Sequence, residues 1–149
     1  MPMTEVLIRR ATSSDVPAMA DIVCSWEAET EWMPTLYGAE KIAGFIRDAL
    51  SEREIWVAEE PATRAVQGYL SFDPAQGRIG GLYCARRGSG LGKALMDKVK
   101  EGRSALWLHT HAPNLRAQEF YRREGFVEVS RHTPEPPETV EEIRMEWAS

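Results

Sequence analysis

Apolar positions along this chain recur with the period of a helix in some stretches and of a strand in others, and the switches between them mark out the elements. A short mixed run over 6–10 predicts a first strand. Thr12, Ser13, Ser14 and Asp15 are residue types that cap helices, and Val16, Ala20 and Val23 then share one helical face. The stretch 27–38 breaks that spacing. Ile42, Phe45, Ile46, Ala49 and Leu50 restore it and predict a second helix over 39–50. Strands are expected at 55–58, 66–72 and 79–84, with turns near 61–64 and at Gln76-Gly77. Leu91, Leu95 and Val99 predict a helix over 90–100, and 105–111 reads as a fifth strand. Asn114 suits the cap of a helix over 115–124, which Gly125 ends. A strand over 126–130, a proline-bearing loop over 132–139, and Ile143, Met145 and Trp147 alternating with Arg144 and Glu146 complete the chain. The order is β-α-α-β-β-β-α-β-α-β-β.

A chain of 149 residues with this single run of elements, no repeat and no linker, is expected to be one domain over 1–149. No apolar run has the length of a membrane span, and the N-terminus has no signal-type core. Cys24 and Cys84 make no disulfide framework. A cytoplasmic location, away from membranes, is the expectation. The net charge of −5 argues against nucleic acid as a partner. The charge is unevenly spread: 78–103 holds seven basic residues and two acids. A basic stretch of that kind suits a polyanionic ligand.

That stretch contains the most specific pattern in the chain. The apolar residues from Leu82 lead into a loop with glycines at 88, 90 and 92, and a helix follows. Glycines let backbone amides approach an anion, and the positive end of the helix dipole favours negative charge there. A nucleoside-triphosphate loop would need Gly where Arg87 stands and a hydroxyl where Ala94 stands; the dinucleotide pattern also fails, because its third glycine falls on Lys93 or Leu95. Arg87-x-x-Gly90-x-Gly92 is what remains. Its plainer reading is a glycine-rich hairpin beside an ordinary helix.

The loop resembles the acetyl-CoA pyrophosphate loop of the GNAT superfamily of N-acyltransferases. Leu106-x-Leu108 followed by Asn114-x-x-Ala117-x-x-Phe120-Tyr121-x-x-x-Gly125-Phe126 is similar to that superfamily's second signature, in the same order and at a similar distance. The resemblance covers nearly the whole chain. It implies an α+β fold with a mixed, mostly antiparallel sheet flanked by helices and splayed where CoA inserts. It also implies transfer of an acetyl group from acetyl-CoA to a primary amine, small or peptide-borne, by direct attack in a ternary complex. A non-catalytic acyl-CoA-binding domain and a protein Lys or N-terminal acetyltransferase are the rival readings. Whether the chain works as a monomer or a homodimer is left open.

Residue by residue, the resemblance assigns the pyrophosphate to the backbone of Arg87, Gly88, Ser89, Gly90, Leu91, Gly92 and Lys93. Leu82 and Cys84 would pair with the pantetheine arm as an added strand, and the Leu82 N–H would stabilise the oxyanion. Tyr121 would protonate the departing thiolate; on spacing alone it reads as a core aromatic, since buried aromatics are common. Asn114 would touch the cofactor, cap its helix, or do both. Cys84, on a strand with no neighbouring histidine in sequence, reads as a small hydrophobe and not a nucleophile.

Two features depart from the pattern. Many members carry a carboxylate on strand four, where this chain has Ile79-Gly80-Gly81-Leu82. Glu27 is the leading substitute base, with Asp73, His109, His111 or a water as others. The second is the acceptor side. The segment 26–37 combines Trp26, Trp32 and Tyr37 with Glu27, Glu29 and Glu31, which suits a cationic amine; the tryptophans equally suit core packing. His109 and His111 face one side of a strand, but a metal site needs a third ligand and none is nearby in sequence, so no metal is expected.

Overall fold

A computed structural model describes residues 6–86 and 89–149. In chain order the elements are β1 (Leu7–Arg10), a 3-10 turn (Ser13–Asp15), α1 (Val16–Glu29), α2 (Ala39–Ala49), β2 (Glu54–Glu59), β3 (Val66–Asp73), β4 (Arg78–Cys84), α3 (Leu91–Lys100), β5 (Ala105–His111), α4 (Leu115–Arg123), β6 (Val127–His132) and β7 (Glu142–Ala148). This is the order that periodicity predicts. The strands form one sheet in the order β1-β2-β3-β4-β5-β7-β6. Among the described residues no helix is long and apolar enough to cross a membrane.

Every neighbouring pair is antiparallel except β4 and β5, which run parallel through Arg78↔Trp107 and Ile79↔Leu108. Beyond Ile79 the two strands part. On its other edge β4 stays paired with β3 through Cys84, and the Ala85 N–H donates to the Gln67 carbonyl at 2.7 Å. Hydrogen bonding alternates along an antiparallel ladder. The amides of Leu82 and Cys84 therefore face away from β3, into the opening.

Side-chain alternation sorts the sheet into two cores. Leu70, Ile79, Leu106, Leu108, Ile143 and Met145 pack under Leu91, Leu95, Met96 and Val99 of α3 and Tyr121 of α4, with Leu82 and Cys84 at the margin. Ile55, Val57 and Tyr69 pack on Val16, Met19, Val23, Ile42 and Ile46 of α1 and α2, with Tyr83 at the margin. The chain thus surrounds the opening with packed elements on both sides.

Two boundaries differ from expectation, and both matter for function. Helix α1 continues through Glu29, although its core periodicity stops near Trp26. Its last turn lies beyond the core, so inward positions there need not be aliphatic. Strand β6 extends to His132, because a register shift between Glu128 and Ser130 lets it stay paired with β7 as far as Glu142.

The entry to α1 is held by charge. Asp15 is buried, accepts from the Thr12 N–H at 2.7 Å, and takes both Arg9 guanidinium nitrogens at 2.8 and 2.9 Å. Arg9 also reaches Glu59 on β2 at 2.9 Å. The guanidinium holds the Asp15 carboxyl below the usual carboxylate range. Asp15→Ala is expected to cost about 2–4 kcal/mol, a lost cap plus charge-assisted bonds. A depressed pKa stabilises above the unfolded-state value and loses that contribution as pH falls through the folded-state value. Urea unfolding of both proteins at neutral and acid pH checks this: the gap should narrow in acid, and a constant gap would assign the loss to packing alone.

Candidate active site

The loop that ends β4 delivers the chain to the start of α3. Gly90 caps the helix at φ +82°, a conformation that side chains disfavour. A Cβ on Gly92 would lie 3.3 Å from the Phe120 ring, so this glycine lets α3 close against α4. Leu91 sends its side chain into the core, leaving its amide on the first turn. The Ser89 hydroxyl donates to the Arg86 carbonyl at 3.1 Å. Arg87 and Gly88, both expected in the phosphate turn, lie outside the described residues.

The basic stretch is not the open positive field its composition suggests. Lys93 meets Asp97 at 3.2 Å and Glu124 at 3.6 Å; Lys100 meets Glu124 at 3.0 Å. Arg103 pairs with Glu54 at 2.8 Å, Arg86 with Glu60 at 3.8 Å, and Lys98 with Glu101 at 3.3 Å. Glu54, Glu60 and Glu124 come from other segments, which a count over 78–103 cannot see. An anion at this loop would meet backbone amides and the α3 dipole beside cations that already have carboxylate neighbours.

Tyr121, on α4, is buried against Phe120 and Phe126, with ring centroids 5.4 and 5.7 Å away. Burial first, and then the proximity of Tyr83 and Cys84, pushes its phenol well above the ordinary value. Tyr121 belongs to the core against which Leu82 and Cys84, at the end of β4, also pack. The Cys84 thiol is pushed up to about 11 by burial, which leaves it protonated and inert at neutral pH. Asn114 caps α4, its side chain accepting from the Ala117 N–H at 3.1 Å.

The opposite face of the opening is aromatic and acidic. Trp26 packs edge-on to Trp32 at 5.8 Å and to Tyr83 at 5.6 Å, and His111 stacks on Trp26 at 6.1 Å and lies tilted against Trp32 at 5.3 Å. Glu27, on the last turn of α1, has its carboxyl raised by burial. Tyr83 is pushed up to about 12 by burial and by the negative charges of Glu27 and Glu138. Burial lowers His111, which favours its neutral form. Beside His111 a shallow, narrow cleft runs between the α1–α2 and β6–β7 connections, lined by Met33, Pro34, Leu36, Pro134, Glu138 and Glu142 among others.

Several sequence candidates fall elsewhere. Tyr37 turns to α2, packing on Phe45 at 5.1 Å with Lys41 over its ring. Asp73 lies at the far end of β3, bound to its own turn through the Ala75 N–H at 3.0 Å and near Arg53 at 3.8 Å. The carboxylate that strand four lacks has a physical counterpart: a Cβ on Gly81 would lie 3.0 Å from the Tyr83 ring, which folds over that position. Tyr83 itself escapes a sequence reading, because a tyrosine alternating with core residues on a strand carries no distinctive signal.

The two histidines of β5 share a face, as their spacing requires, but not their partners. His109 lies 3.7 Å from Glu142, and His132 lies 3.1 Å from the same carboxylate. His132 and Glu142, from β6 and β7, thus lie beside His109, although neither is near it in sequence.

Residues 51–128 match the family model of the GNAT acetyltransferase domain. The chain is 30% identical over 128 residues to the peptidyl-lysine N-acetyltransferase YiaC of Escherichia coli, spanning 80% of this chain and 82% of that protein. Its fold is similar to that of a GCN5-related N-acetyltransferase from Rhodopseudomonas palustris, with a TM-score of 0.79 at 20% identity over 100% of this chain and 99% of the other. It is similar also to YncA of Salmonella typhimurium, a putative acetyltransferase solved with acetyl-CoA, with a TM-score of 0.71 at 19% identity, covering 97% and 94%.

Proposed function

Because the chain belongs to the GNAT acetyltransferase family, we propose that it moves the acetyl group of acetyl-CoA directly to a primary amine within a ternary complex. One observation carries the reading. The parting of β4 from β5 leaves the Leu82 and Cys84 amides unpaired by strand, with Tyr121 in the core on the Leu82 and Cys84 face and the Trp26–Tyr83 aromatic group on the other.

In this reading the amides of 87–93 hold the pyrophosphate, and Leu82 and Cys84 extend the sheet onto the pantetheine arm. The Leu82 N–H faces the thioester oxygen, where negative charge develops on attack. Glu27 receives the amine proton, directly or through water, and Tyr121 gives its proton to the departing thiolate. Trp26, Trp32 and His111 line the acceptor's approach. Asn114 acts as a cap that fixes the start of α4 and so the height of Tyr121. A peptide-borne lysine is the favoured amine, since the relative in Escherichia coli is named for that activity.

Thermal unfolding with acetyl-CoA and a free-thiol assay over amines and lysine peptides test this together. At a hundred times the dissociation constant, acetyl-CoA should add about 2.7 kcal/mol. No stabilisation would overturn the reading. Stabilisation without thiol release from any amine would make the chain an acyl-CoA-binding domain instead.

A further inference from the structure

Two of the histidines of this chain, His109 and His132, are far apart in sequence yet converge on one carboxylate. Glu142 of β7 stands directly opposite His111 of β5 and directly opposite His132 of β6. Directly paired residues share a face of the sheet, and His109, two positions before His111, shares it too. His111 turns to the tryptophans. The other two turn to Glu142: the carboxylate oxygen lies 3.1 Å from His132 Nε2 and 3.7 Å from His109 Nδ1, and the rings are 4.7 Å apart.

We propose that His109, His132 and Glu142 form a binding site for a divalent transition-metal ion of the zinc type at the rim of the acceptor cleft. One ligand atom from each residue lies within 4.8 Å of the other two. Zinc binds imidazole nitrogen and carboxylate oxygen at about 2.0–2.2 Å in a tetrahedral array. Ligand atoms around one such ion are therefore roughly 3.3 Å apart, so small side-chain rotations bring the trio into place. The three residues stand on three adjacent strands of one sheet, which holds their spacing without a loop. Two imidazoles and one carboxylate favour zinc, cobalt or nickel over magnesium and calcium, and three protein ligands leave a fourth position for water. Of the nearby cations, Arg144 pairs with Glu146 at 2.8 Å and lies over Trp107, and Arg78 rests over the same ring.

The site is coupled to the cleft through Glu142, which lines the cleft beside His111. A metal ion would draw that carboxylate out of the cleft lining. A cationic acceptor would then bind less well, so zinc should raise the acceptor's KM several-fold and leave that of acetyl-CoA unchanged. This coupling rests on the cleft being the acceptor site.

Calorimetric titration of chelator-treated protein with Zn²⁺ tests the site without any turnover. The expected result is one ion per chain, with affinity falling by more than about tenfold in His109→Asn and in His132→Asn. His132 is exposed on an edge strand, so that variant should keep the wild-type circular dichroism. No binding, or binding unchanged in both variants and so attributable to Cys24 or Cys84, would overturn the site. Binding that leaves the acceptor's KM unchanged would overturn the coupling. If no amine is turned over at all, the acceptor reading fails and the titration still decides the site.

Discussion

Tyr121→Phe is expected to lower the kcat of acetyl transfer by about 10²–10⁴-fold, the usual contribution of a positioned acid. In the proposed mechanism, attack on the thioester expels a thiolate that the buried phenol of Tyr121 protonates. Burial holds that phenol well above its ordinary value, so the proton is present throughout the neutral range. Phenylalanine keeps the ring packing against Phe120 and Phe126 and removes the hydroxyl alone. The KM for acetyl-CoA and the melting temperature should therefore stay close to wild type, while kcat and kcat/KM fall together, as they do when an interaction made only in the transition state is lost. Single-turnover measurements, in which product release cannot mask chemistry, make the comparison. Full turnover in the variant would assign Tyr121 to packing.

Glu27→Gln should produce the second large loss, about 10²-fold in kcat/KM, with acetyl-CoA affinity nearly unchanged. Glutamine conserves shape and polarity and removes the ability to take the amine proton. The pH profile carries the sharper signature. A general base works in its ionised form, and burial raises the Glu27 carboxyl above the ordinary range. Activity should therefore fall as pH drops through that raised value, and this acidic limb should disappear in Glu27→Gln. His111→Gln serves as the comparison, because its neutral imidazole lies in the same aromatic group. If His111→Gln loses the limb and Glu27→Gln retains it, the proton passes to the imidazole. Trp32→Ala, by contrast, should raise the acceptor's KM with little change in kcat.

The order of elements was legible in the chain because each buries one face, and burial of one face leaves a period in the sequence. The loop through Gly90 and Gly92 and the helix bearing Tyr121 were legible for a related reason. A left-handed cap at Gly90 and a close helix contact at Gly92 admit almost no other residue, so local geometry writes itself into residue identity. The proposed acceptor side leaves no such trace. Glu27 lies past the last core position of α1, so the pattern broke there while the chain stayed helical, and Tyr83 looked like any strand aromatic. Charge was legible only in part, for a different reason. Some of the excess over 78–103 is offset by Glu54, Glu60 and Glu124, and electrostatic pairing depends on distance in space, which sequence separation does not measure. The same holds for the histidines. Spacing by itself placed His109 and His111 on one face of a strand; the strand order β5-β7-β6 alone decided that His132 would lie across from them, because a sheet brings together residues that no local period connects.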